Sequence, residues 1–302
     1  MADIVLLDGG MGQELLHRSK QPPHALWSAK VMMDEPEIVQ AVHLDYIRAG
    51  AKVITLNTYS ATPERLEFQG IPEMFEPLQA KAVEIAGKAR DESGAADVRI
   101  AGCLPPLRTS YRPDLALPFD QGVAAYRRIA ACQAGHVDVI LCETMSAIVE
   151  ARAAATAAAE TGKPVWLSLS VADEGGKVLR SGEMVDAALE ALSDIPVQAI
   201  LLNCSRPEAI SEALPLLIAS GRPAGAYANA FAKAGGLSPG STVEALEGRK
   251  DMTPENYAEI VAGWVGEGAR IVGGCCEIGP VHIAAVRDRL VADGYTIKGE
   301  LA

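Results

Sequence analysis

Short runs of apolar, β-branched residues recur along this chain, and most follow a longer stretch whose apolar positions return every three or four residues. The first pattern is that of a buried strand and the second that of one face of a helix. Strand-like runs fall at 4–7, 53–56, 98–101, 137–142, 165–170, 197–202, 224–227 and 270–273. Helical spacing marks 36–49, 74–90, 121–134, 148–160, 184–192, 210–219, 254–267 and, after the last strand, 280–290. Strands that alternate with helices and read as continuous apolar runs belong to a parallel sheet covered on both faces. Neither a composition shift nor a Pro/Ser-rich linker divides the chain, so one (β/α)8 (TIM) barrel domain over residues 1–302 is expected. A doubly wound open sheet would place a G-x-G-x-x-G turn after its first strand. Here that turn reads Asp8-Gly9-Gly10-Met11-Gly12, with the wrong glycine spacing.

Composition narrows the partners. Of 302 residues, 49% are hydrophobic, ample for a large core, and 27 Lys and Arg face 39 Asp and Glu, a formal charge of −12. A nucleic-acid surface needs clustered cations, and the sequence has no such cluster. No apolar stretch approaches the roughly 20 residues of a membrane helix, and the first residues lack the basic and small-residue marks of a signal peptide. Six cysteines in a long, core-rich chain do not form a disulfide framework. Reduced thiols in the cytoplasm are expected.

A barrel places its chemistry at the C-terminal ends of its strands. Those positions read Asp8-Gly9-Gly10, Asn57-Thr58-Tyr59, Gly102-Cys103, Cys142-Glu143-Thr144, Ser168 and Ser170, Asn203-Cys204-Ser205, Tyr227-Ala228-Asn229 and Gly273-Gly274-Cys275-Cys276. Cys204, Cys275 and Cys276 sit on strands separated by one neighbour. Three thiolates are a ligand set for a zinc ion whose fourth position stays open, and the double glycine permits the sharp turn that aims both neighbours inward. Free cysteines are otherwise small core residues, the reading given to Cys103, Cys132 and Cys142. The carboxylates Asp8 and Glu143 face the same mouth and can grip an ammonium group, or cap a helix and form a surface ion pair. Backbone N–H groups at Gly9 and Gly10 can meet a substrate carboxylate or simply allow a turn. The pairs Gly235-Gly236 and Gly273-Gly274 offer a weaker signal for a phosphate cradle. None of the five histidines has partner spacing.

In combination these residues resemble the homocysteine S-methyltransferase family. The resemblance is carried by Asp8-Gly9-Gly10-Met11, Leu26-Trp27-Ser28-Ala29, Ala49-Gly50-Ala51, Thr55-Leu56-Asn57-Thr58-Tyr59, Cys142-Glu143-Thr144, Asn203-Cys204-Ser205 and Gly273-Gly274-Cys275-Cys276, and spans nearly the whole chain. It implies a zinc-dependent barrel that methylates the thiol of L-homocysteine to give methionine. It further implies Cys204, Cys275 and Cys276 as zinc ligands, Asp8 and Glu143 as the holders of the substrate's amino group, Gly9, Gly10 and Met11 as the backbone near its carboxylate, and Asn229 as a substrate-side residue. Two segments depart from the family pattern: Glu277-Ile278-Gly279 after the second cysteine, and the loop 104–113. Both bear on the methyl donor. A negative zinc–thiolate centre favours a cationic donor, S-methylmethionine first and S-adenosylmethionine second, with betaine and dimethylsulfoniopropionate behind them. Tyr59, Tyr111, Trp166 and Tyr227 are the aromatic faces available to hold that cation. The rival readings are a non-enzymatic three-cysteine zinc store or redox sensor, and a phosphate-handling barrel.

Overall fold

The computed structural model describes residues 3–233 and 246–301. Eight parallel strands alternate with helices: β1 Asp3–Leu6, β2 Val53–Thr55, β3 Arg99–Leu104, β4 Val139–Met145, β5 Val165–Leu169, β6 Ala199–Asn203, β7 Ala224–Tyr227 and β8 Ile271–Val272. Each pairs in parallel with the next from β2 to β8, and β8 pairs with β1. A parallel bridge from Leu7 to Val53, with Lys52 N–H donating to Leu6 O (2.8 Å) and Asp8 N–H to Val53 O (3.0 Å), joins β1 to β2. The sheet therefore closes on itself, and the expected (β/α)8 barrel is present.

Two features exceed the sequence expectation. Three helices rather than one separate β1 from β2: α1 Met11–Arg18, α2 Trp27–Asp34 and α3 Pro36–Ala49. A ninth strand, β9 Thr296–Lys298, pairs with the lower half of β1, and Glu300 beyond it reaches Arg99 of β3 at 3.1 Å. Three residues, only the middle one half-buried, carry too little periodicity to be read as a strand.

Period-two alternation sorts each strand into an inward and an outward set. Val5, Leu7, Val53, Leu141, Trp166 and Leu201 fill the barrel interior. Ile4, Leu6, Ile54, Ile140, Leu167 and Leu202 pack outward under the helices. Trp166 is part of the interior plug, its indole N–H bonded to Gln198 Oε1 at 2.9 Å, so it does not reach the mouth. Among the described residues, no helix is long and apolar enough to cross a membrane.

Candidate active site

The three cysteines expected at strand ends converge. Cys204 follows β6, and Cys275 and Cys276 follow β8; Cys275 Sγ lies 2.9 Å from Cys204 Sγ, Cys204 Sγ 3.9 Å from Cys276 Sγ, and Cys275 Sγ 4.0 Å from Cys276 Sγ. Zinc–sulfur bonds of about 2.3 Å in a tetrahedron set sulfurs roughly 3.8 Å apart. Two edges match this spacing, and the third is drawn in by the S–H···S bond from Cys275. Among the described residues no other three His, Cys, Asp or Glu side chains come together in this way. Three soft thiols in one cluster have the composition and spacing of a metal site.

Close packing fixes the cysteine turn. A Cβ on Gly274 would lie 2.2 Å from the Ile278 side chain, and one on Gly10 would lie 2.6 Å from Cys275 O. The β1 and β8 loops thus lie directly against each other, with Gly274 N–H donating to Asp8 O at 2.9 Å and Cys275 N–H to Ala228 O at 2.9 Å. These contacts occupy the space around Gly273-Gly274 and leave no open cradle for a phosphate. The other pair considered, Gly235-Gly236, lies outside the described residues.

The three thiols are not equivalent. Hydrogen bonds donated by Cys275 and Cys276, a third from Tyr111, and the nearby Arg180 guanidinium hold Cys204 well below the usual thiol range, against its burial. Donating to Cys204 pushes Cys275 and Cys276 up. Cys204 is itself strained, with φ +50°, and Arg180 donates to its carbonyl at 3.1 Å.

The thiols open onto a cavity of about 100 Å³ lined also by Asp8, Glu143, Trp27, Tyr59 and Tyr227. Asp8 accepts from Thr55 N–H at 2.7 Å and Thr55 Oγ1–H at 3.2 Å. Burial nevertheless raises its carboxyl to about 7. Glu143 is likewise raised to about 7, chiefly by burial and further by the charges of Cys204 and Asp8. Among the described residues, no cationic side chain forms an ion pair with either. The surface-pair alternative therefore fails: both carboxylates face inward, unneutralised, beside the thiols.

Glu143 is aimed by a strained neighbour. Thr144 has φ +63° at an irregularity in the β4–β5 pairing. Buried Asn203 holds it there: Asn203 Oδ1 accepts Thr144 N–H at 2.9 Å and Ser168 Oγ–H at 2.9 Å, and its amide donates to Thr144 Oγ1 at 3.0 Å. Cys103, read from the sequence as a core residue, donates its thiol hydrogen to Glu143 Oε1 at 3.0 Å.

Beside Asp8, Gly10 N–H is already bonded to Ile278 O (2.8 Å) and Met11 N–H to Gly9 O (2.9 Å). Met11, Gly12 and Gln13 line the cavity as the first turn of α1, which has no side-chain cap. Uncapped N–H groups at a helix start favour an anion. Gln13 is 6% exposed, and both of its amide atoms lack partners in the protein. Tyr227 Oη and Trp27 Nε1 are buried without partners as well. A cavity wall with four such unmatched polar atoms is built for a polar guest.

Tyr59, Tyr111 and Tyr227 reach the cavity as expected; Trp27 joins them edge-on to Tyr59 at 6.4 Å between ring centres. Arg65 stands over Tyr59 at 5.3 Å and Arg180 over Tyr111 at 4.3 Å. Asn229 is fully buried, accepts from Phe231 N–H at 3.2 Å, and does not line the cavity. Trp27 and Gln13 escaped the strand-end reading because they come from helices α1 and α2. Trp27 had a signal in its place within a quoted family segment; Gln13 had only its polar character on a short helix.

The fold and this site define a class: a parallel α/β barrel with three thiols and two inward-facing carboxylates at the C-terminal ends of its strands. The profile of the homocysteine S-methyltransferase family matches residues 5–290. The homocysteine S-methyltransferase of Escherichia coli (strain K12) is 31% identical over 306 aligned residues, 95% of each chain, and a Bacillus subtilis (strain 168) homocysteine S-methyltransferase is 28% identical over 94% of this chain and 93% of its own. A selenocysteine Se-methyltransferase of Brassica oleracea var. italica is 30% identical over 95% of this chain and 89% of its own. The metallated form of the Escherichia coli homocysteine methyltransferase MmuM superposes with a TM-score of 0.80 at 29% identity, covering 95% of this chain and 96% of that one. The chain belongs to the homocysteine S-methyltransferase family.

Proposed function

We propose that Cys204, Cys275 and Cys276 hold a zinc ion and that one barrel brings L-homocysteine and a cationic methyl donor together above it. The reading rests on one observation above the others: a buried carboxylate, Asp8, and a half-buried one, Glu143, share a cavity with the three thiols and, among the described residues, have no cationic partner. A zwitterionic amino acid with a terminal thiol matches that arrangement. Its ammonium group neutralises Asp8 and Glu143, its carboxylate meets the start of α1 and the Gln13 amide, and its sulfur points to the cysteines. Held by Cys204, Cys275 and Cys276, a zinc ion would favour the thiolate form of a substrate thiol over the thiol near neutral pH. No protein base is then required, in keeping with the absence of a histidine from the cavity lining among the described residues.

The donor enters from the mouth. Attack on its methyl group discharges a sulfonium or quaternary ammonium, so the leaving group departs neutral and is not retained by the carboxylates. Tyr59 and Tyr111 each have a guanidinium over the ring. Among the described residues Trp27 and Tyr227 have none; Tyr227 is buried, so the half-buried Trp27 ring is the face assigned to the donor cation. S-methylmethionine is the first assignment and S-adenosylmethionine the second. Six free thiols suit a reducing, cytoplasmic setting.

The test is methionine formation, followed by mass spectrometry. Zinc-loaded, reduced protein is supplied with L-homocysteine and, separately, S-methylmethionine, S-adenosylmethionine, betaine and dimethylsulfoniopropionate. Turnover with one sulfonium donor well above the rest is expected. Bound zinc with no methionine from any donor would overturn this reading and favour a zinc store or sensor.

A further inference from the structure

The loop 104–113, where the sequence departs from the family pattern, is pinned at several points. Pro106 O accepts from Arg65 at 3.0 Å, Leu107 O accepts from Thr62 Oγ1–H at 2.5 Å, and Ser110 Oγ meets Tyr59 Oη at 2.8 Å. At its end Tyr111 takes φ +61°, a conformation that is costly for a bulky residue. Arg180 lies 4.3 Å from the Tyr111 ring centre and is anchored to Asp173 at 3.0 Å, Ser170 Oγ at 2.8 Å and Cys204 O at 3.1 Å. The result is a tyrosine hydroxyl 2.8 Å from Cys204 Sγ. A phenol keeps its proton at neutral pH and a thiolate has none to give, so toward a thiolate at Cys204 the hydroxyl donates and the sulfur accepts.

We propose that Tyr111 is a positioning residue that grades the site's sulfurs, its hydroxyl drawing charge from Cys204 so that this ligand is a poorer nucleophile than its neighbours. The proposal rests on the reading of Cys204, Cys275 and Cys276 as metal ligands. The need for such a device follows from the reaction. A centre carrying three protein thiolates beside a substrate thiolate presents several nucleophilic sulfurs to one methyl donor, and only the substrate's sulfur must react. A hydrogen bond to a thiolate occupies one of its lone pairs and lowers its reactivity toward carbon. Cys204 receives that bond from a rigid, strained and braced tyrosine. Arg180 acts through the ring by holding it on the sulfur.

The experiment uses methyl iodide on zinc-loaded protein without homocysteine. A cysteine thiolate displaces iodide; the C–I bond breaks, the S–CH3 bond forms, and iodide leaves with the electron pair. Peptide mass spectrometry then reads the share of methyl groups on Cys204 against Cys275 and Cys276, which serve as internal standards. Tyr111→Phe keeps the ring under Arg180 and removes only the hydroxyl. Its Cys204 share is expected to rise about fivefold, equivalent to about 1 kcal/mol at 1.36 kcal/mol per tenfold. Cobalt-loaded samples report the ligand set through sulfur-to-cobalt absorption, with the intensity for three thiolates retained in both proteins and a shift to longer wavelength in the variant. An unchanged Cys204 share with the cobalt spectrum intact would overturn the proposal. So would loss of cobalt binding by the variant alone, because the hydroxyl would then hold the site together rather than grade its sulfurs. Absence of the sulfur-to-cobalt band in the wild-type protein would instead overturn the metal reading on which it rests.

Discussion

Asp8→Asn separates what the protein needs for stability from what it needs for binding. Asp8 is 6% exposed, and its carboxyl is raised from 3.8 to about 7, with burial the largest cause. A carboxyl whose folded value exceeds its unfolded value binds more protons in the folded state, so stability falls as pH rises from about 4 to about 7 and then levels off. About three pK steps at 1.36 kcal/mol each give roughly 4 kcal/mol at pH 8, against about 0.5 kcal/mol at pH 4. Asparagine keeps the shape, and its amide can still accept from Thr55 N–H while donating to Thr55 Oγ1. The variant should therefore be more stable than wild type at pH 8 by up to about 4 kcal/mol, or roughly 8 °C at about 2 °C per kcal/mol, with the gap nearly closed at pH 4. Differential scanning fluorimetry of both proteins from pH 4 to pH 8 measures this directly. Binding should move the other way. Removing one partner of a buried charge pair costs about 2–5 kcal/mol, which weakens homocysteine by at least ~30-fold at pH 8. A variant no more stable than wild type at pH 8, or one that binds homocysteine normally, refutes the assignment of Asp8 as an unneutralised carboxylate awaiting an ammonium group.

Asn203→Ala strips two hydrogen bonds from the Thr144 turn and a third from Ser168. It should lower stability by about 2–4 kcal/mol in thermal unfolding and raise the KM for homocysteine through a misaimed Glu143. Cys276→Ala should lower bound zinc, measured by elemental analysis of dialysed protein, and reduce methionine formation at least ~100-fold; unchanged metal content would remove Cys276 from the ligand set. Trp27→Leu should raise the KM for a sulfonium donor about tenfold while leaving that for homocysteine within about twofold, a split that steady-state kinetics at saturating co-substrate resolves.

The barrel was legible because its signal is repeated. Each strand is an apolar run, each helix a periodic face, and eight repetitions leave little freedom in how they close. The thiols and the two carboxylates were legible for the same reason, since strand ends are a fixed place to look and Asp8, Glu143, Cys204, Cys275 and Cys276 stand there. What the sequence did not disclose depends on direction in space. Trp166 and Tyr227 both lie on barrel strands, yet one plugs the interior below the mouth and the other opens into the cavity. Cys103 looked like any buried cysteine until β3 and β4 were paired, which sets its thiol against Glu143. Gln13 and Trp27 arrive from helices that fold back over the mouth, and no strand-based reading reaches them. Asn203 was quoted as a neighbour of Cys204, but its work is on β4, through a bond that spans 59 residues of sequence.

Backbone strain ties these parts together. Among the described residues, the non-glycine positions with positive φ are Trp27, Tyr111, Thr144, Cys204 and Glu277. Three of them line the cavity, and the other two directly follow Glu143 and Cys276. Strain of this kind costs about 1–3 kcal/mol per residue, so five together rival the whole net stability of an ordinary domain. Glycine would relieve each position, and at four of them it would also delete a group that acts there: an indole, a phenol, a thiol, or the Thr144 hydroxyl that bonds Asn203. Glu277 is the exception, since no bond from its side chain within the described site accounts for it. The barrel core of interdigitated Val, Ile and Leu offsets that cost from below, and the buried Asn203 and Arg180 hold two of the strained turns from the side. The site is thus a set of side chains presented on backbone conformations that only a rigid scaffold maintains, and Thr144 and Cys204, at the ends of β4 and β6, are held there by Asn203 and Arg180.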